Sequence, residues 1–115
     1  MKLRLILLVC LGFSVINYAQ TNQPKYIAEA VKLYESGKYF EAMPKLEAAY
    51  NKMTNKGKSI TEKGSMAFKL ADCYRKMEQY DKAAQWYGAS IELKYYDVEP
   101  KVYYFHGEML RMTGD

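Results

Sequence analysis

Side chains able to do chemistry are sparse in this chain of 115 residues. The one histidine, His106, has the chemistry of a metal ligand or proton shuttle. On a helix, however, its i−4 and i+4 neighbours are Val102 and Leu110, so no second ligand shares its face. Cys73, between Asp72 and Tyr74 on an amphipathic stretch, reads as a small buried hydrophobe, with a redox role as the alternative. Acid pairs such as Glu41 and Glu47 read as solvated helix faces, and there is no Gly-rich phosphate loop. Nothing resembles a nucleophile with its base and orienting group. The residues therefore point to a protein that is not an enzyme, with no catalytic residue, no metal and no cofactor.

The composition is that of one small globular unit: half of the chain is apolar, 26% charged and 15% aromatic. The net charge of +4 includes Lys2 and Arg4. Without them fifteen basic face thirteen acidic residues, a balance that gives no nucleic-acid footprint. Those two cations open a three-part signal peptide: a basic Met1–Arg4, an apolar run Leu5–Ile16, then the polar Asn17 with Ala19 and Gln20. The twelve residues of this almost wholly apolar run span about 18 Å, short of the ~30 Å needed by a membrane anchor. Lipidation at Cys10 is disfavoured because Leu7, Leu8 and Val9 lack the small residue wanted before such a cysteine. Cleavage between Ala19 and Gln20 places the mature chain, residues 20–115, outside the inner membrane, in the periplasm or at the outer membrane. Cys73 then stays without a disulfide partner, and the mature chain does not span a membrane.

The elements that hold these residues repeat. Tyr26 to Ala42 aligns with Ala67 to Ala83, each a helical pattern, a polar turn and then Tyr-x-x-Ala, and a third copy opens at Tyr103. Ala67, Leu70, Ala71 and Tyr74 form one helical stripe, and Tyr80, Ala83, Ala84, Tyr87 and Ile91 form the next. Two stripes separated by a short turn predict antiparallel helix pairs. Ala30 and Ala42, Ala71 and Ala83, and Gly107 stand where axes should come closest, with Tyr103 and Leu110 beside Gly107 on the third helix. Between the first two copies, Gly57 suits a helix C′ position and Ser59 to Glu62 a capping box, predicting helices over 39–55 and 60–77. Pro44 should kink the first of these slightly, and Pro100 should open the third copy.

Leu70-Ala71 with Tyr74, then Tyr80, Ala83 and Tyr87, resembles the tetratricopeptide repeat (TPR) family in order and spacing, over about Gln23 to Asp115. Glu78 and Ser90 depart from the family's usual turn glycine and late alanine. The resemblance implies an all-α fold, a right-handed superhelix of antiparallel helix pairs with about two and a half repeats. It also implies a concave groove lined by Ile27, Val31 and Tyr34, then Phe68, Asp72 and Arg75, then Tyr104, Glu108 and Arg111. The Lys and Asn carboxylate clamp of some family members is missing there, so an apolar peptide or a folded protein surface is the expected partner.

Asp115 falls at a turn before a second helix of the third copy. This implies the N-terminal piece of a longer protein, or a homo-oligomer in which another subunit covers the third helix. The signal ending in Tyr18-Ala19-Gln20, with Leu70 to Arg75, resembles the N-terminal TPR region of OmpA-like envelope proteins linked to gliding and type IX secretion. That likeness implies a scaffold for protein–protein interaction in the cell envelope. The competing expectation is an accessory domain of an envelope enzyme whose active site lies beyond residue 115.

Overall fold

A computed structural model describes residues 23–114; the signal-peptide reading lies outside them. The described chain is all-helical. Five α-helices, α1 (Lys25–Glu35), α2 (Tyr39–Lys52), α3 (Ser59–Lys76), α4 (Tyr80–Glu92) and α5 (Lys101–Met112), are joined by short turns. A single 3-10 turn, Tyr95–Asp97, precedes α5, and there is no strand among the described residues.

Each helix packs chiefly on its chain neighbours. In the first pair Lys52 lies over Tyr26, Lys45 reaches Glu29 at 3.7 Å and Tyr39 meets Tyr34, so α1 and α2 run antiparallel. The pairs Asp72–Tyr87 and Gly64–Ser90 give α3 and α4 the same sense. Contacts between alternate helices sort them into two layers. Tyr34 to Asp72 joins α1 to α3, and Phe68 to Phe105 joins α3 to α5. Behind them Tyr50 and Trp86, 5.0 Å apart and edge to face, join α2 to α4.

The small-residue seam predicted from the repeat is buried in both pairs: Ala30, Ala42, Ala67, Ala71 and Ala83 have no exposed surface. Methyl side chains let the axes approach, and Leu46, Leu70 and Tyr87, fully buried, fill the space beside them. Burying each of these larger side chains is worth about 1.5–3 kcal/mol. On α5 the seam is displaced. Val102 and Met109 are buried, whereas Tyr103 is 54% exposed and Gly107 stands in open space. The correction follows from helical phase, because Val102, Phe105 and Met109 at i, i+3 and i+7 turn together toward α4 and carry Tyr103 and Gly107 outward.

Helix ends show where local rules were overridden. Gly37, Glu78 and Gly114, the equivalent turn positions, all adopt left-handed backbone with φ of 76°, 61° and 86°. After α1, Lys38 N–H donates to Leu33 and Gly37 N–H to Tyr34; after α3, Gln79 donates to Tyr74 and Glu78 to Arg75. Both are Schellman closures, so Glu78 occupies a glycine site.

Between the pairs the predicted boundaries shift. Helix α2 ends at Lys52 rather than Asn55, because Met53 turns to extended backbone and buries its side chain in the core with Leu46. Gly57, with φ 60°, therefore lies in the connecting loop and not at a helix C′ position. No capping box forms, since Ser59 is already inside α3 and the cap residue Lys58 makes no side-chain cap bond. Pro44 is accommodated within α2 on its exposed side.

Candidate functional site

The most connected polar group among the described residues is Asp72 on α3. A carboxylate only 6% exposed needs partners to offset its lost hydration. It accepts hydrogen bonds from the Tyr34 hydroxyl on α1 and the Tyr87 hydroxyl on α4. Arg75, one turn further along α3, stands 3.4 Å from the same carboxylate and donates through Nε to the Tyr87 oxygen at 2.9 Å. Three helices are thereby tied to one side chain, and no buried side-chain polar atom of the described residues lacks a partner.

The electrostatics follow from this closure. Burial, reinforced by the hydrogen bond to Asp72, holds the phenols of Tyr34 and Tyr87 far above their ordinary range; at Tyr87 the Arg75 charge partly offsets it. Burial works against the Arg75 charge, but Tyr87 and Asp72 outweigh it, so its affinity for the proton is raised. Cys73 is pushed up to about 12 by burial and then by the Asp72 charge, which leaves its thiol protonated and unreactive. Beside the network, Lys69 donates to Ser65 Oγ at 2.7 Å and lies 5.7 Å from the Tyr34 ring. Burial lowers its pKa, opposed by the charges of Glu35 and Asp72.

An aromatic surface continues the network toward α5. Phe68 packs on Tyr87, Tyr95 and Phe105; Tyr87 and Phe105 are stacked with centroids 5.6 Å apart. The Arg75 guanidinium sits 4.6 Å over the Phe105 ring, a cation–π contact. Tyr104 then stands 65% exposed against the edge of Phe105. One turn on, Arg111 donates to Glu108 at 2.9 Å, which holds the Glu108 carboxyl below its usual range.

Of the nine groove residues expected from the repeat, Tyr34, Phe68, Asp72 and Arg75 come together, and Tyr104, Glu108 and Arg111 lie beyond them on α5. Two expectations need correction. Ile27, 2% exposed, belongs to the core with Ala30 and Leu46, because its position on α1 turns it toward α2. Asp72 is a buried linking group and not a groove-lining acid, since the two phenols and Arg75 close over it. Val31 packs half-buried against the same core as Ile27. Tyr87, assigned to packing alone, and Phe105, which no pattern singled out, are the members that sequence reasoning missed. The available signal was Asp72 and Arg75 at i, i+3 with Phe68 one turn before them, an acid and a cation beside an aromatic on one helix face.

The two hydroxyls and Arg75 are all engaged at Asp72, so the arrangement offers rigidity and a shaped aromatic surface. His106 lies half-buried beside Gly88, where an added Cβ would stand 3.4 Å from its Nε2. Among the described residues no group of three or more His, Cys, Asp or Glu side chains is placed to hold a metal ion, and no helix is long and apolar enough to cross a membrane. No family model, curated protein or solved structure matches this chain.

Proposed function

We propose that this protein is a non-catalytic TPR-type interaction module of the bacterial cell envelope, which docks a protein or peptide against the layer formed by α1, α3 and α5. The observation that carries the reading is the joining of Tyr34, Phe68, Asp72 and Arg75 from two successive first helices into one network that Phe105 extends onto α5. Contact surfaces use such rigid aromatic and arginine side chains because they bury much area with little loss of conformational freedom. Tyr104, exposed at the end of the aromatic run, is the natural anchor for a partner. The likeness to OmpA-like envelope proteins and the signal-peptide pattern of residues 1–19 support export to the periplasm.

The test is a titration. A displayed library of apolar peptides is screened against the full chain, and the tightest binder is measured against Tyr104→Ala and against Ala48→Glu, a change on the exposed side of α2. Tyr104→Ala should lose at least about ten-fold in affinity, equivalent to about 1.4 kcal/mol, with an unchanged melting midpoint. Loss in Ala48→Glu with full retention in Tyr104→Ala would move the site to the other layer and overturn the proposal. For export, N-terminal sequencing of the chain recovered from a periplasmic fraction should begin at Gln20, and an intact Met1 would count against it.

A further inference from the structure

Charge is distributed unevenly along the row of helices. Residues 23–58, which hold α1 and α2, carry seven lysines against four acids, whereas residues 77–114, which hold α4 and α5, carry four cations against six acids. Two outer faces carry part of this asymmetry. One is a groove between α4 and α5 that no lysine or arginine lines. Asp81 and Glu92 stand toward its two ends, eleven residues apart and so about 16 Å along α4. Between them Ala84, Gly88 and Ala89 form a floor low enough for a helical ridge to approach, with Leu110 as the apolar wall.

The other face lies at the opposite end of the row, along the edge of α1 and α2. Lys32, Lys38 and Lys45 line it around the half-buried Leu33, and its one acid, Glu29, is already paired with Lys45 at 3.7 Å. Glu29, Lys32, Leu33 and Ser36 fall at i, i+3, i+4 and i+7, a single ridge of α1. The groove therefore sets acids around a small apolar floor, and the ridge sets cations around an apolar centre.

We infer that the acidic α4–α5 groove receives the basic α1 ridge of a second copy of this chain, head to tail. The two faces are different patches at opposite ends of the molecule, so the contact is heterologous and each added copy leaves one groove and one ridge free. Single exposed ion pairs contribute little. Several charges of one sign facing several of the other steer the encounter and fix its orientation, and Leu33 against Leu110 supplies apolar contact. The association is weak and depends on salt. It uses the side of α5 opposite to Tyr104, Glu108 and Arg111, so it stands apart from the partner-docking reading.

Sedimentation velocity on the full chain, over a concentration series at about 0.01 M and about 1 M salt, where the Debye length is about 30 Å and about 3 Å, tests the contact. The weight-average sedimentation coefficient should climb with concentration at low salt and stay flat at high salt. The double variants Asp81→Lys with Glu92→Lys, and Lys32→Glu with Lys38→Glu, should each remain monomeric alone. Mixed in equal amounts they should associate at least ten-fold more tightly than either does by itself, because basic groove then meets acidic ridge. A wild-type chain that is monomeric at both salts would overturn the inference. So would variants that associate as well as wild type, or a mixture no stronger than its parts.

Discussion

At the scale of single residues, the buried hydroxyls around Asp72 make stability depend on alkaline pH. The folded-state pKa values of Tyr34 and Tyr87 are raised above the ordinary 10.0, so the folded chain keeps protons that the unfolded chain releases. Their stabilisation is complete below pH 10 and is lost as pH climbs above it. Cys73 acts in the same direction between 9.0 and about 12. Lys69 is shifted the other way, and its opposing contribution is finished by 10.5. Above pH 10.5 the melting temperature should therefore fall, and the fall should be shallower in a Tyr34→Phe, Tyr87→Phe double variant when followed by circular dichroism. Cys73 supplies an independent check. Its thiol should resist a disulfide reagent at neutral pH in the folded chain and react fully once the chain is unfolded in urea.

At the scale of elements, two positions hold a residue type that local conformational preference disfavours, glycine within a helix and glutamate in a left-handed turn. Gly64 inside α3 looks like a weakness worth about 1 kcal/mol relative to alanine. In the structure its carbonyl accepts the Ser90 hydroxyl at 3.1 Å, and an added Cβ would stand 2.9 Å from the Tyr95 Cβ. Gly64→Ala should thus destabilise the chain by about 1–3 kcal/mol in urea titrations, because overpacking outweighs propensity. Glu78 is the reverse case. It holds a left-handed conformation that costs a side-chain-bearing residue about 1–2 kcal/mol. Glu78→Gly should raise stability by about 1 kcal/mol, read from the same titration.

At the scale of the whole molecule, a row of helices that contact mainly their chain neighbours has no single centre. Helices α2, α3 and α4 each have a helix on both sides, with α3 against α4 the most extensive pair, whereas α1 and α5 have one principal helix neighbour apiece. Stability in such a row is close to a sum of local terms. Amide exchange followed by mass spectrometry at high salt, where association is suppressed, should leave α3 and α4 protected longest. Helices α1 and α5 should exchange sooner.

The pattern of Ala67, Leu70, Ala71 and Tyr74, then Tyr80, Ala83 and Tyr87, was enough to determine the helix pairs, their turn between Lys76 and Tyr80, and the buried seam. That information is local: a 3.6-residue period fixes which face is apolar wherever a stripe is long. The same period could not set the phase of α5, where Tyr103 and Val102 compete as neighbouring apolar candidates, nor the end of α2, where burial of Met53 overrides a helical continuation. Asp72, too, was assigned to the groove lining, because the groups that close over it come from α1 and α4. Which hydroxyls reach a carboxylate across 15 and 38 residues of chain is decided by how helices stack, and only the tertiary structure holds that information.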